Sequence, residues 1–274
     1  MKNAVYVRIG GIGIGLISQY DMVFAGFENF LSNSPDGAEL RLRICRDAEP
    51  VQDGPDFPKL LSIYSEEPLS IYREDRRIVI SRGDFRGYIN PDSLSGELGL
   101  VSEDSLECFL RIVYSFILPG MGGLALHAAS VVKGGRAYVF PGKSGAGKTT
   151  IAKLSSGTDL LTDEVSIVRG IGEQAVAYGT PFCGELRKPG QNIKAPIAGL
   201  YFPVKDSNIY VQELPAKVAL EMLLPCVVLF GQEQDIMEKA FHLSYQLASS
   251  IPCYELHFRP EPSFWNCIDA KRED

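Results

Sequence analysis

The run Gly142-Lys143-Ser144-Gly145-Ala146-Gly147-Lys148-Thr149 fits the pattern GxxxxGK[ST] at every fixed position. Its chemistry is the gripping of a polyphosphate. Glycines let the main chain wrap closely around an anion and turn successive N–H groups inward. A lysine at the position of Lys148 reaches the β- and γ-phosphates, and a hydroxyl at the position of Thr149 can hold Mg²⁺. The pattern needs an apolar strand before it and a helix after it. Ala137–Phe140 supplies the strand, and a helix beginning near Lys148 and running through Thr150 to Leu154 supplies the rest. The expectation is a nucleoside triphosphate, ATP with Mg²⁺, bound on residues 142–150.

A second constellation follows at once. Asp163-Glu164 closes the apolar stretch Leu160-Leu161-Thr162, fourteen positions after Thr149. Carboxylates at a strand end beside a phosphate loop can ligate Mg²⁺, and one can accept the proton of an incoming hydroxyl. The short spacing leaves room for one helix and a return strand. His127 stands in an apolar strand one hairpin before the loop, where a histidine is often a satisfied core residue. Glu185-Leu186-Arg187 lies among turn signals, Thr180-Pro181 before it and Lys188-Pro189-Gly190 after it. Arg187 could neutralise transition-state charge on a phosphoryl group or form an ordinary surface ion pair. An earlier glycine cluster, Gly11-Ile12-Gly13-Ile14-Gly15, lacks the third-glycine spacing and following helix of a dinucleotide fingerprint, and reads as a glycine-rich strand or hairpin.

The elements that must position these residues can be traced along the chain. The first third reads as strands: Ala4–Arg8, Ile12–Ser18, Glu39–Cys45, Leu60–Tyr64, Leu69–Arg73 and Arg77–Ser81. Turn signals at Ser34-Pro35-Asp36-Gly37, Asp53-Gly54-Pro55 and Asn90-Pro91-Asp92 separate them. A small antiparallel sheet or sandwich is expected there. Asp104 can cap a helix whose apolar positions are Leu106, Phe109, Leu110, Val113, Phe116 and Ile117, ending at Pro119-Gly120. Strands Ala125–Val132 and Arg136–Phe140 then flank a Gly134-Gly135 hairpin turn. Leu160–Thr162, Val165–Val168 and Val176–Tyr178 follow, then Leu200–Pro203 and Ile209–Leu214 as a further pair. Helices are expected over Ala216–Leu224 and Ile236–Ser249, a strand over Tyr254–Phe258, and a short helix after Pro262. Two domains result: a β-rich part over 1–118, assigned to substrate recognition by position alone, and a phosphate-binding α/β part over 119–274.

Composition narrows the classes. With 274 residues, 45% hydrophobic and 22% charged, the chain is an ordinary globular one. Its net charge of −7 argues against a general electrostatic grip on nucleic acid or an anionic membrane. The six cysteines are scattered without a CxxC pair, and His127, His242 and His257 do not pair with them at zinc spacing. That pattern favours reduced thiols and a cytoplasmic setting. Arg8 and four glycines interrupt the apolar N-terminal residues, so they are taken as mature protein rather than a secretion signal.

His127, the phosphate loop, Asp163-Glu164 and Glu185-x-Arg187, in that order, resemble the catalytic domain of HPr kinase/phosphorylase, a protein-serine kinase whose fold is shared with phosphoenolpyruvate carboxykinase. The resemblance covers roughly residues 121–230. Gly179-Thr180-Pro181-Phe182-Cys183-Gly184-Glu185 looks more like the smaller HPr-kinase-like proteins of bacterial peptide-biosynthesis clusters. The resemblance implies a P-loop kinase core with a mixed sheet of the HPr kinase/carboxykinase type. It implies transfer of the γ-phosphoryl group to a serine of a peptide or small protein. His127, Asp163, Glu164 and Arg187 would then be catalytic, with Thr149, Asp163, Glu164 and Glu185 around Mg²⁺. Which of Asp163 and Glu164 is base and which is metal ligand stays open, as does a homo-oligomer. Four positions depart from the family: Glu164 replaces the usual second Asp, Lys188 stands where Gly is common, and Thr149-Thr150 replaces Ser-Glu. Two other readings stand beside the peptide kinase. One is a nucleotide-gated regulatory module without phosphotransfer, and the other a small-molecule kinase acting on free serine or, carboxykinase-like, on a carboxylic acid.

Overall fold

The computed structural model describes residues 3–19, 26–34, 37–46, 60–61, 68–100, 105–231 and 233–271. The expected cap at Asp104, the turn at 53–55, residues 62–64 of an expected strand and the Pro35-Asp36 pair lie outside them. The protein is mixed α/β, with two mixed sheets and, among the described residues, five α-helices. The chain divides into two compact units, Met1–Ile117 and Leu118–Asp274.

The first unit holds β1 (Asn3–Ile9), β2 (Ile12–Ser18), β3 (Leu31–Ser32), β4 (Ala38–Arg46), β5 (Leu60–Leu61), β6 (Pro68–Glu74), β7 (Arg77–Arg82), β8 (Phe85–Asn90), β9 (Ser95–Leu100) and helix α1 (Ser105–Ile117). All nine strands join one sheet in the order β3-β1-β2-β4-β9-β8-β7-β6-β5. Of the two expected forms, a small antiparallel sheet or a sandwich, the strands take the single sheet, but it has nine strands and is mixed: β4 pairs in parallel with both β2 and β9. Alternation of apolar residues reports which side chains share a face, not strand direction, and the long connections here permit either. Strands β8 and β9 were not expected, because their glycines (Gly87, Gly96 and Gly99) break up the apolar signal. Gly11 lies in the turn of the β1–β2 hairpin and residues 12–15 in its second strand, as expected of a glycine-rich strand or hairpin. Helix α1 buries every apolar position that its periodicity marked. Phe109 meets Phe85 edge-on with ring centroids 5.8 Å apart, and Tyr114 donates to the Ile9 carbonyl at 2.8 Å.

The second unit holds β10 (Gly123–Lys133), β11 (Arg136–Pro141), α2 (Lys148–Leu154), β12 (Asp159–Thr162), β13 (Val165–Arg169), β14 (Val176–Tyr178), β15 (Lys194–Lys205), β16 (Tyr210–Glu213), α3 (Ala216–Leu223), α4 (Gln234–Ser250), β17 (Cys253–Phe258) and α5 (Phe264–Ala270). The sheet runs β11-β10-β13-β14-β15-β17-β16, with β12 also on β10 and β11 also on β15. The pairings β11–β15 and β15–β17 are parallel; the rest are antiparallel. Residues alternate between two apolar layers, as a strand's period of two dictates. Ala137 and Val139 face one layer with α3 and α4, while Tyr138 and Phe140 face the other with α2 and α5. Helices therefore cover both sides of the sheet. The expected pairing of β15 with β16 is corrected: β17 lies between them, parallel to one and antiparallel to the other. Adjacency in sequence suggested a hairpin, but the later strand takes the central place.

No helix among the described residues is long and apolar enough to cross a membrane. All six cysteines are free thiols.

Candidate active site

The glycine-rich loop, residues 142–147, leaves the sheet at the end of β11. Its first amide, on Gly142, donates to the His127 carbonyl at 3.1 Å, which extends the β10–β11 ladder by one rung. The Ala146 amide closes a turn onto the Lys143 carbonyl at 3.1 Å. Gly147 then begins α2 at φ 103°, a left-handed conformation that strains any L side chain. Space forbids one as well, since a Cβ there would lie 2.7 Å from Phe258 Cζ. Lys143, Ser144 and Gly145 are exposed. Among the described residues, the amides of Ser144, Gly145, Gly147, Lys148 and Thr149 find no acceptor in the chain. Unsatisfied main-chain donors on a partly exposed loop are what an anion needs.

Lys148 is the exception in this open loop. It is only 5% exposed, and its ammonium donates to the Lys143 carbonyl at 3.1 Å. Burial pushes its pKa below the ordinary lysine value, opposed by the charges of Glu164, Cys226, Glu185 and Asp163, in that order of strength. The expected carboxylates thus gather around the expected lysine. A buried ammonium held by one neutral carbonyl is poorly compensated, and a polyphosphate would compensate it.

The acidic pair sits at the joint between β12 and β13, both of which run antiparallel to β10. Thr162 shapes this joint. Its hydroxyl donates to the Phe182 carbonyl at 3.1 Å and accepts the amides of Glu164 and Val165 at 3.1 and 3.2 Å. The Glu164 carbonyl accepts the Ala128 amide at 3.0 Å. With both ends of its main chain held, Glu164 places Oε1 3.1 Å from His127 Nε2. The two side chains are 14% and 24% exposed, so the pair is sheltered yet reachable.

Asp163 differs from its neighbour. It is fully buried, and both oxygens accept main-chain amides: Oδ1 from Gly184 at 2.8 Å and Oδ2 from Leu186 at 2.9 Å. These amides belong to the turn carrying Glu185 and Arg187, both exposed. Arg187 itself is left-handed, at φ 48°. Among the described residues its guanidinium has no ion-pair partner. The turn lies flat on the acids because residue 184 is glycine. A Cβ there would come within 2.8 Å of both Asp163 Oδ2 and Glu164 Oε2.

His127, Lys148, Asp163, Glu164, Glu185 and the loop thus come together at one end of the sheet. Thr149 and Thr150 are half-buried on the first turn of α2. Residues that sequence reasoning missed are Thr162, Thr180, Gly184 and Cys226. Thr162 carried a signal, a hydroxyl residue at a strand end followed by a tight turn. Thr180, whose hydroxyl donates to the Val165 carbonyl at 2.9 Å, anchors the far side of the same segment. Cys226 carried none: burial raises its thiol pKa, opposed by Lys148 and then Lys143. Among the described residues no group of three or more His, Cys, Asp and Glu forms a ready metal cage. A magnesium held chiefly by phosphates and waters does not require one. No protein-family model and no curated protein matches the chain.

Proposed function

We propose that the protein is an ATP-dependent kinase, built on a P-loop core of the HPr kinase/carboxykinase type, that phosphorylates a hydroxyl, foremost a serine of a peptide or small protein. One observation carries this reading. Buried Lys148, at the head of a loop of unsatisfied amides, lies in the field of Glu164, and Glu164 is itself held against His127. A phosphate cradle with a histidine-bound carboxylate beside it suits phosphoryl transfer, which demands positioning and charge stabilisation more than covalent help.

Amides of residues 144–149 and the Lys148 ammonium would hold the β- and γ-phosphates. The donor set fits Mg²⁺, which would neutralise phosphate charge when bound by Thr149 and by Glu185, whose charge reaches Lys148. Glu164, held 3.1 Å from His127, would accept the hydroxyl proton of the acceptor. Arg187, exposed at the rim, would face charge on the acceptor or the transferring group. The choice of serine rests on the resemblance of the Gly179–Glu185 phrase, not on geometry.

Label transfer from γ-labelled ATP to a panel of serine peptides, free serine and small carboxylic acids tests the proposal. Labelled phosphoserine in a peptide supports it. Label in free serine or an acid moves the activity to small molecules. Label appearing only as free phosphate in every case favours the nucleotide-gated module and contradicts the kinase.

A further inference from the structure

We infer that Asp163 is a positioning residue that holds the Glu185-Leu186-Arg187 turn over the site, leaving Glu164 as the carboxylate that meets phosphate and acceptor. The inference rests on the proposed phosphotransfer and divides the labour of the two acids within it.

A fully buried carboxylate is costly unless its charge is met by donors. For Asp163 the donors are two main-chain amides, one on each oxygen. To act as base or metal ligand it would have to turn an oxygen away from Gly184 or Leu186, and the turn would lose that anchor. The turn needs its anchors. Arg187 adopts a left-handed conformation, which is strained for a non-glycine residue and persists only where surroundings over-determine it. Three bonds do so here: the two amides on Asp163, and the Arg187 amide donating to the Gly184 carbonyl at 3.1 Å. Gly184, lacking a Cβ, lets this turn rest on both acids at once. Asp163 therefore sets the height of Glu185 and Arg187 above Glu164. Glu164 does not depend on Asp163 for its own place, because Thr162 and Ala128 hold its main chain.

Two measurements test this. The first is amide hydrogen exchange at Gly184 and Leu186 in the wild-type protein, alone and with MgCl₂ and ATP. Slow exchange in both conditions is expected. Fast exchange in the free protein, or faster exchange at either amide once Mg²⁺ and ATP are added, overturns the inference, and neither readout needs a variant that folds. The second is a mutant cycle with the best acceptor of the panel. Asp163→Asn is expected to lower kcat/KM for the acceptor by about 10- to 100-fold, as removal of an outer-shell partner does. In a background carrying both Glu185→Ala and Arg187→Ala the same change should cost less than about threefold, because the residues it acts through are gone. Persistence of the full cost in that background would give Asp163 a direct role and overturn the inference. Absence of transfer to any acceptor would be a failure of the kinase reading alone, and the exchange data would still decide the place of Asp163.

Discussion

His127 and Glu164 join the two halves of the site: the imidazole Nε2 lies 3.1 Å from the carboxylate Oε1, while the His127 carbonyl takes the first amide of the phosphate loop. One residue of β10 thereby registers the acid against the cradle. The β10–β13 ladder, with His127 opposite Val165, fixes that spacing at the level of the sheet.

Glu164→Gln keeps the shape of the side chain and removes its charge. Turnover is expected to fall by about 10²- to 10⁴-fold, the usual contribution of a general base, with ATP affinity within about tenfold of wild type. His127→Ala should cost less, about 10- to 100-fold, because it leaves the carboxylate in place. Stopped-flow turnover and calorimetric ATP titration measure both. A Glu164→Gln enzyme with unchanged turnover would remove Glu164 from proton transfer.

Lys148→Met separates ligand binding from stability. Burial holds the folded-state pKa of Lys148 below the ordinary lysine value. Between the two values the unfolded chain binds more protons than the folded one, so this group makes stability rise with pH across that window. Below the window its full penalty is present. Lys148→Met is therefore expected to abolish ATP binding while leaving Tm at pH 7 equal to or above wild type, and to flatten the alkaline rise. A large drop in Tm at pH 7 would make the lysine a structural residue.

Gly147→Ala meets two obstacles, a left-handed φ of 103° and the ring of Phe258. It should destabilise the protein by about 1–3 kcal/mol and weaken ATP binding at least tenfold. Phe258→Leu in the same chain should recover part of the stability by removing the clash, though not the backbone strain. Urea unfolding of wild type and the two variants checks this, and a fully stable Gly147→Ala would contradict the packing described.

Arg187→Gly should raise stability by about 1 kcal/mol, since glycine adopts the left-handed region freely. It should also lower phosphotransfer by about tenfold or more, the trade expected where strain serves function. Thermal denaturation and acceptor kinetics report the two effects. Loss of stability without loss of transfer would reverse the assignment.

Much of this site was legible in sequence because its parts are local. The loop, with glycines and Lys148 at fixed offsets, is visible as a motif between a strand and a helix, and the period of α1 marks it as a helix. What lay hidden depends on long-range contact. Asp163 and Glu164 are adjacent and chemically alike, yet one faces main-chain amides 21 and 23 residues away and the other faces a histidine across the sheet. Nothing in a pair of neighbouring acids shows which turns inward. The insertion of β17 between β15 and β16, and the parallel neighbours of β4, were hidden for the same reason: alternation fixes faces, not partners. Cys226 comes near Lys148 only because the residues after α3 return to β10, where Val228 donates to the Ala125 carbonyl at 2.9 Å.

The most direct measurement is a single-turnover reaction. Excess enzyme is mixed with γ-labelled ATP, Mg²⁺ and a serine peptide, and the label is followed in phosphopeptide, free phosphate and ATP. The expected result is label in the phosphopeptide for wild type, label left in bound ATP for Glu164→Gln, and no bound label for Lys148→Met. Label that reaches only free phosphate in wild type, or transfer that survives in Lys148→Met, would contradict a kinase centred on Lys148 and Glu164.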